Sequence, residues 1–191
     1  MIPAWNSSAV LPPVRPGQPG HSADRSPYLA SFSEVVQRFA TSPERMLILR
    51  GLLDYRRELA RLGIGSGFQW LDGSFMEHKE ALLNAPPQDL DVVTFFALPA
   101  GITDEPTFVA QNPDLFNPVL SKRRFHVDAY AMVIGNPLEA PDVQQISYWY
   151  SMWSHRRSGL WKGFVQVDIS AAGDQIEEAL LNQIEREQQA L

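Results

Sequence analysis

Residues 69–98 read QWLDGSFMEHKEALLNAPPQDLDVVTFFAL, and the rest of the chain is organised around them. A short apolar run, Phe68 to Leu71, stops at Asp72-Gly73-Ser74. An amphipathic segment follows, and Pro86-Pro87 interrupts it. Asp89-Leu90-Asp91 then leads into Val92-Val93-Thr94-Phe95-Phe96, β-branched and aromatic enough to form a strand. Side chains alternate along a strand, so Asp89 and Asp91 share one face. Two carboxylates that close repel each other unless a cation lies between them. Mg²⁺ takes oxygen ligands and is commonly held by one or two carboxylates together with substrate phosphates.

Gly73-Ser74 supplies a matching half-site. A glycine at the end of a strand lets backbone come close to a ligand. The serine adds a hydroxyl beside amides that a helix start leaves unpaired. An apolar residue, Gly-Ser, a gap and Asp-x-Asp in a strand together resemble the signature of the DNA polymerase β-like nucleotidyltransferases. That resemblance implies triphosphate binding at Gly73 and Ser74, and metal binding at Asp89 and Asp91. The gap, residues 75–88, is slightly longer than the family's usual spacing, and a longer helix or loop would absorb it.

Length and composition fit one soluble domain. The chain has 191 residues, 45% hydrophobic and 20% charged, which is enough to bury a sizeable core. Its formal net charge of −6 argues against broad electrostatic capture of nucleic acid, though a local basic groove is compatible with it. With no cysteine, disulfides and thiolate metal sites are excluded, in keeping with a reducing cytoplasm. There is no signal-like segment and no apolar run of membrane-spanning length, so a cytoplasmic protein without membrane contact is expected.

Residues 1–28 are rich in Pro, Gly and Ser, but Ile2, Trp5, Val10 and Leu11 suit docking on a folded body. They are expected to form an extended arm packed on a single domain spanning 29–191. A short helix is expected through Phe32, Val35, Val36 and Phe39. A longer one starts at Ser42-Pro43-Glu44 and ends at Gly63, with Leu47, Leu49, Leu52, Leu53, Leu59 and Leu62 on its apolar side. Its arginines, Arg50, Arg56, Arg57 and Arg61, read mostly as solvated or paired with Asp54 and Glu58.

Helix starts follow at Thr103-Asp104-Glu105 and Asn112-Pro113-Asp114. The stretch Lys122 to Ile134 reads as a strand with Asp128 inside its apolar core, where a carboxylate is costly unless paired or bound to metal. The polymerase β-like resemblance implies a third carboxylate on a neighbouring strand that completes the metal site and takes the acceptor's proton, and Asp128 matches it. His126 would share its face, most simply as a hydrogen-bonded histidine.

Residues 142–158 read as an aromatic helix capped by Asp142, with Tyr148, Trp149, Tyr150 and Trp153 mainly in the core. Arg156, Arg157 and Lys162 cluster at a glycine-containing turn before a strand from Phe164 to Ile169, a place where cations and free amides can meet phosphate. A charged helix from Asp174 to Leu191 closes the chain, with Ile176, Leu180, Leu181 and Ile184 facing inward.

The blocks MIPAWN, VLPP, DRSPY, RFATSPER, GFQWLDGSF, DLDVVTFF, FHVDAY and YWYSMWSHRRSGLWKG resemble a family of bacterial proteins classed with the nucleotidyltransferase fold. This implies an α/β (α+β) domain with a small mixed sheet and flanking helices. It also implies a two-metal Mg²⁺ site, with Mn²⁺ as a substitute, at Asp89, Asp91 and Asp128. A nucleoside triphosphate would lie on Gly73, Ser74, Lys162, Arg157 and Arg156. Its nucleoside monophosphate would pass to an RNA end, a protein hydroxyl or a small molecule, as in the minimal nucleotidyltransferases of toxin–antitoxin and phage-defence loci. The rival readings are an inactive relative that binds nucleotide or a partner, and a nucleic-acid-binding module. Oligomeric state is not legible.

Overall fold

The computed structural model describes residues 1–135, 137–169 and 174–190. Its centre is a five-stranded mixed sheet in the order β1-β5-β2-β3-β4 (β1 Tyr28–Leu29, β2 Gly67–Asp72, β3 Leu90–Phe96, β4 Val127–Val133, β5 Val165–Asp168). β1 runs parallel to β5 and β3 parallel to β4, while β2 is antiparallel to both β3 and β5. With its helices, this makes an α+β fold.

The central strands are apolar on both sides because both faces are covered. Leu71, Leu90, Val92, Phe96, Val127, Ala129 and Val165 point into the larger core. There they meet α1 (Phe32–Phe39), α2 (Pro43–Arg61) and α8 (Asp174–Gln189). Residues of opposite parity, Trp70, Val93, Phe95 and Met132, pack beneath Trp149 and Trp153 of α7 (Ala140–Trp153). That alternation places Asp72, Asp91 and Asp128 on the α7 face.

Local chemistry sets the helix ends. Ser42 caps α2 ahead of Pro43, as the sequence indicated, and Ser31 caps α1 in a reciprocal box with Glu34. Leu47, expected on the apolar side of α2, is instead 53% exposed, because the buried stripe passes through Met46, Ile48 and Leu49. Arg56 does not fit the solvated reading either. It is buried, donating to Gln69 Oε1 at 2.9 Å and to the Asp168 carbonyl at 3.0 Å. Arg57 and Arg61 do pair with Asp54 and Glu58. On α8, Leu181 is buried while Ile176 is 64% exposed, so the inward stripe starts later than expected.

Two other boundaries moved. Lys122 to Phe125 belong to α6 (Pro118–Phe125), which follows α4 (Glu105–Gln111) and α5 (Pro113–Phe116). His126 ends α6 in a left-handed conformation (φ 56°), so β4 starts only at Val127 and His126 is outside the strand alternation with Asp128. α7 begins at Ala140, and Asp142, expected as its cap, instead accepts from the Glu139 N–H at 2.9 Å within the first turn. α7 also stops at Trp153, leaving His155 to Ser158 in the turn beyond.

The arm lies against this body, with Ile2, Val10 and Leu11 buried. Among the described residues, no helix is long and apolar enough to cross a membrane.

Candidate functional site

A cleft of about 440 Å³ opens on the α7 face, at the end of β2 and the starts of β3 and β4. Strand pairing builds its floor. Asp72 lies opposite Asp91 in the β2–β3 ladder, and Asp91 opposite Asp128 in the β3–β4 ladder, so three carboxylates line up across adjacent strands. Asp89, one residue before β3, joins from the same side. One ligand oxygen from each of Asp89, Asp91 and Asp128 lies within 4.8 Å of the other two.

Electrostatics confirms the crowding. Burial, then the charges of Asp89 and Asp128, pushes the Asp91 carboxyl up to about 6. Burial also raises Asp128, against the pull of Lys122 and with a contribution from Asp89. Lys122, on α6, forms an ion pair with Asp89. The hydrogen bond to Asp89, outweighing its desolvation, raises the Lys122 ammonium above the usual lysine range. Tyr130, two residues along β4 on the same face, lowers the Asp128 carboxyl slightly and packs against Trp149, with ring centroids 4.7 Å apart. The donors are all carboxylate oxygens, close together and short of compensating positive charge. Such a set suits a hard divalent ion of the Mg²⁺, Mn²⁺ or Ca²⁺ type and not a thiophilic metal. Asp89, Asp91 and Asp128 could therefore hold a metal ion.

Gly73 and Ser74 form the next wall. Gly73 has φ 80°, and a Cβ placed on it would sit 2.7 Å from Asp91 Oδ2, so only glycine lets the turn close over the carboxylates. The Gly73 backbone lowers the Asp72 carboxyl slightly, against the larger effect of burial. The amphipathic segment beyond it is shorter than its pattern suggests: a 3₁₀ turn, Ser74–Met76, then α3 (Lys79–Leu83), none of whose residues is buried.

The three expected phosphate-binding cations all line the cleft, but they are not equivalent. Lys162 is only 5% exposed, and its ammonium is 2.8 Å from Asp72 Oδ1 and 3.6 Å from Glu77 Oε1. Arg156 donates to Glu77 Oε2 through Nε and Nη2, at 3.0 and 2.7 Å. Arg157 is exposed and has no ion pair among the described residues. Asp72 is buried, which drives its carboxyl up to about 7 despite the opposing Lys162 charge.

Sequence reasoning missed Asp72, Glu77 and Tyr130. Asp72 had a signal, because it shares strand parity with Trp70 at the end of an apolar run. Its match to Asp91 depends on β2–β3 register, which no local pattern encodes.

Residues 3–168 match a family of unknown function (DUF6932). The chain belongs to that family. No curated protein and no solved structure matches it. The DUF6932 span takes in every cleft residue named above, together with Trp5 and Leu11 of the arm, and leaves out α8.

Proposed function

We propose that the cleft is the active site of a metal-dependent nucleotidyltransferase. The observation that carries the reading is the juxtaposition of Asp89, Asp91 and Asp128, mutually within 4.8 Å, with a Gly73-Ser74 turn packed directly on Asp91. The same residues carry the resemblance to polymerase β-like enzymes. Mg²⁺ ions held by the three aspartates, or Mn²⁺ in their place, would supply the charge that neutralises a triphosphate and acidifies an acceptor hydroxyl.

The chain's own groups divide the remaining work. Gly73 allows the phosphates to approach the aspartates, and Ser74 lines the same wall. Arg157 meets phosphate at the cleft mouth. The acceptor oxygen bonds to the α-phosphorus, the bond from that phosphorus to the bridging oxygen of the β-phosphate breaks, and pyrophosphate leaves. The acceptor's proton passes to an Asp128 carboxylate oxygen, whose affinity for it is raised by burial. Tyr130 stands beside that carboxylate on β4. The acceptor is a hydroxyl on an RNA end, a protein or a small molecule, and the absence of cysteine fits a cytoplasmic setting.

A second reading, a cleft that binds nucleotide or a partner without transferring anything, draws on the pairing of Lys162 with Asp72 and of Arg156 with Glu77. One experiment separates the two. The protein is incubated with each α-labelled nucleoside triphosphate, Mg²⁺ and fractionated cell extract, beside Asp91→Asn. Label on RNA, protein or a small molecule that requires Asp91 supports transfer. Triphosphate binding by calorimetry with no labelled product from any fraction supports the second reading, and neither binding nor labelling refutes both.

A further inference from the structure

The turn that carries Gly73-Ser74 and the loop that carries Lys162 both line the cleft, and the N-terminal arm is bonded to both. On one side, Trp5 Nε1–H donates to the Met76 carbonyl at 2.7 Å. The Trp5 indole stacks flat on His78, with centroids 4.4 Å apart and planes 9° apart, while the Arg38 guanidinium covers its ring at 4.0 Å. The His78 N–H returns to the arm, donating to the Ala9 carbonyl at 2.9 Å. On the other side, the Gly163 N–H donates to the Leu11 carbonyl at 2.7 Å. A Cβ on Gly163 would fall 2.6 Å from the Pro12 carbonyl oxygen, so arm and loop are in backbone contact.

The segment between these anchors is braced. Asn6 Oδ1 accepts from the Ser8 and Val10 N–H groups at 2.9 and 3.2 Å, and the Ala9 N–H donates to the Asn6 carbonyl at 2.8 Å. Ala9 is held at φ 58°, a conformation that costs a residue with a side chain and persists only where its surroundings enforce it. Leu11 and Val10 are buried. A segment that is tied down at both ends, stiffened between them and buried from Ala9 to Leu11 constrains the spacing of what it joins.

Behind the same turn, the fully buried Arg45 donates to the Phe75 carbonyl at 2.7 Å, to the Glu77 carbonyl at 2.6 Å and to both oxygens of Glu80. The turn is thus held from α2 as well as from the arm. Toward the Lys162 loop the turn is held by side-chain ion pairs, Lys162 with Asp72 and Arg156 with Glu77, and the arm adds a backbone link in the same direction.

We infer that residues 5–11 are a positioning strap for the cleft, in which Trp5 sets the distance between the Gly73-Ser74 wall and the Lys162 wall. Trp5 touches no cleft-lining aspartate, so it is a positioning residue. That the strap tunes triphosphate affinity rests on the nucleotidyltransferase reading, whereas the mechanical claim does not.

Hydrogen exchange and binding on Trp5→Ala, Trp5→Phe and Gly163→Ala test both parts. Trp5→Ala should speed exchange about tenfold or more at the amides of residues 75–78, with a smaller rise at 161–163. Trp5→Phe keeps the stack and loses the N–H donor, so it should fall between Ala and parent. Gly163→Ala, acting from the opposite end, should raise exchange at 9–11 and again at 75–78. With Mg²⁺ and a nonhydrolysable triphosphate, Trp5→Ala should bind about tenfold more weakly than parent. Its Mn²⁺ affinity should be unchanged, because Asp91 and Asp128 stand on β3 and β4 and Asp89 directly precedes β3. A purely stabilising Trp5 would lower the melting temperature and leave exchange at 75–78 and 161–163 at the parental rate well below melting, and that result overturns the strap. Exchange that responds as described in a protein that binds no triphosphate supports the strap and refutes the nucleotide reading alone. If Gly163→Ala fails to fold, the Trp5 pair still decides.

Discussion

Replacing Asp91 by Asn is expected to make the metal-free protein more stable at neutral pH and to make it indifferent to Mg²⁺. Asp91 is largely buried between Asp89 and Asp128, and its carboxyl rises from the ordinary 3.8 to about 6. A rise of that size corresponds to about 3 kcal/mol of penalty on the ionised form. The folded protein holds this proton where the unfolded chain has already released it. The stability tied to the proton is therefore complete below pH ~4 and lost as pH rises through about 6. Above pH ~7 the parent carries the whole cost, and asparagine does not.

Rearrangement of water and of Lys122 at the cleft mouth reduces the net gain to about 1–2 kcal/mol. In a domain of this size that is a melting temperature higher by about 3–6 °C at pH 8, with the difference vanishing near pH 4. Mg²⁺ reverses the order. At a hundred times its dissociation constant it should stabilise the parent by about 2.7 kcal/mol, and the variant, with a charged ligand removed, by far less. Circular-dichroism melts at pH 4, 6 and 8, with and without Mg²⁺, check this. A variant less stable than parent at pH 8 without metal, or equal Mg²⁺ gains for both proteins, would refute the crowded-carboxylate reasoning.

Lys162→Met leaves Asp72 buried with no counter-charge and should cost about 3–5 kcal/mol in denaturant unfolding, most of it regained in Asp72→Asn/Lys162→Met. Gly73→Ala drives a Cβ to 2.7 Å from Asp91 Oδ2 at a φ of 80°. It should lose about 1–3 kcal/mol of stability and weaken Mn²⁺ binding by at least tenfold, read by electron paramagnetic resonance. Arg157→Ala removes an exposed cation with no ion pair among the described residues, so unfolding should shift by no more than about 0.5 kcal/mol. Calorimetry with Mg²⁺ should show its triphosphate affinity falling about tenfold.

What the sequence makes legible here is local. The β-branched run at Val92 announces β3, and Ser42-Pro43 announces α2, because strand propensity and capping are decided within a few residues. Asp89, Asp91 and Asp128 could be joined because each lies in or beside an apolar run where an unpaired carboxylate is costly. Leu47 and Ile176 misled because leucine and isoleucine are common on surfaces, so a single apolar residue does not fix a helix face. Arg56 misled in the opposite direction, and Arg45 drew no reading at all. Each is an arginine buried among carbonyls and acceptors contributed by distant parts of the chain, and nothing in the helical period marks that. The left-handed turn at His126 was hidden by apolar residues on both sides, which continue the strand pattern without the strand.

The cleft's charge balance is the least local property of all, and it changes what the site asks of a ligand. Read alone, Arg156, Arg157 and Lys162 look like a phosphate grip. In the fold, Lys162 meets Asp72 from 90 residues away and Arg156 meets Glu77 from 79 residues away. Lys122 is likewise taken by Asp89. Among the described residues in and around the cleft, Asp72, Glu77, Asp89, Asp91 and Asp128 outnumber Lys122, Arg156, Arg157 and Lys162. A bare triphosphate would find little uncommitted positive charge, since among the described cleft residues Arg157 is the cation without an ion pair. On the proposed nucleotidyltransferase reading, positive charge therefore has to arrive with the nucleotide or ahead of it, at the three aspartates that burial and mutual repulsion have left undercompensated. On this balance nucleotide affinity should depend on divalent metal far more steeply than on any single side chain.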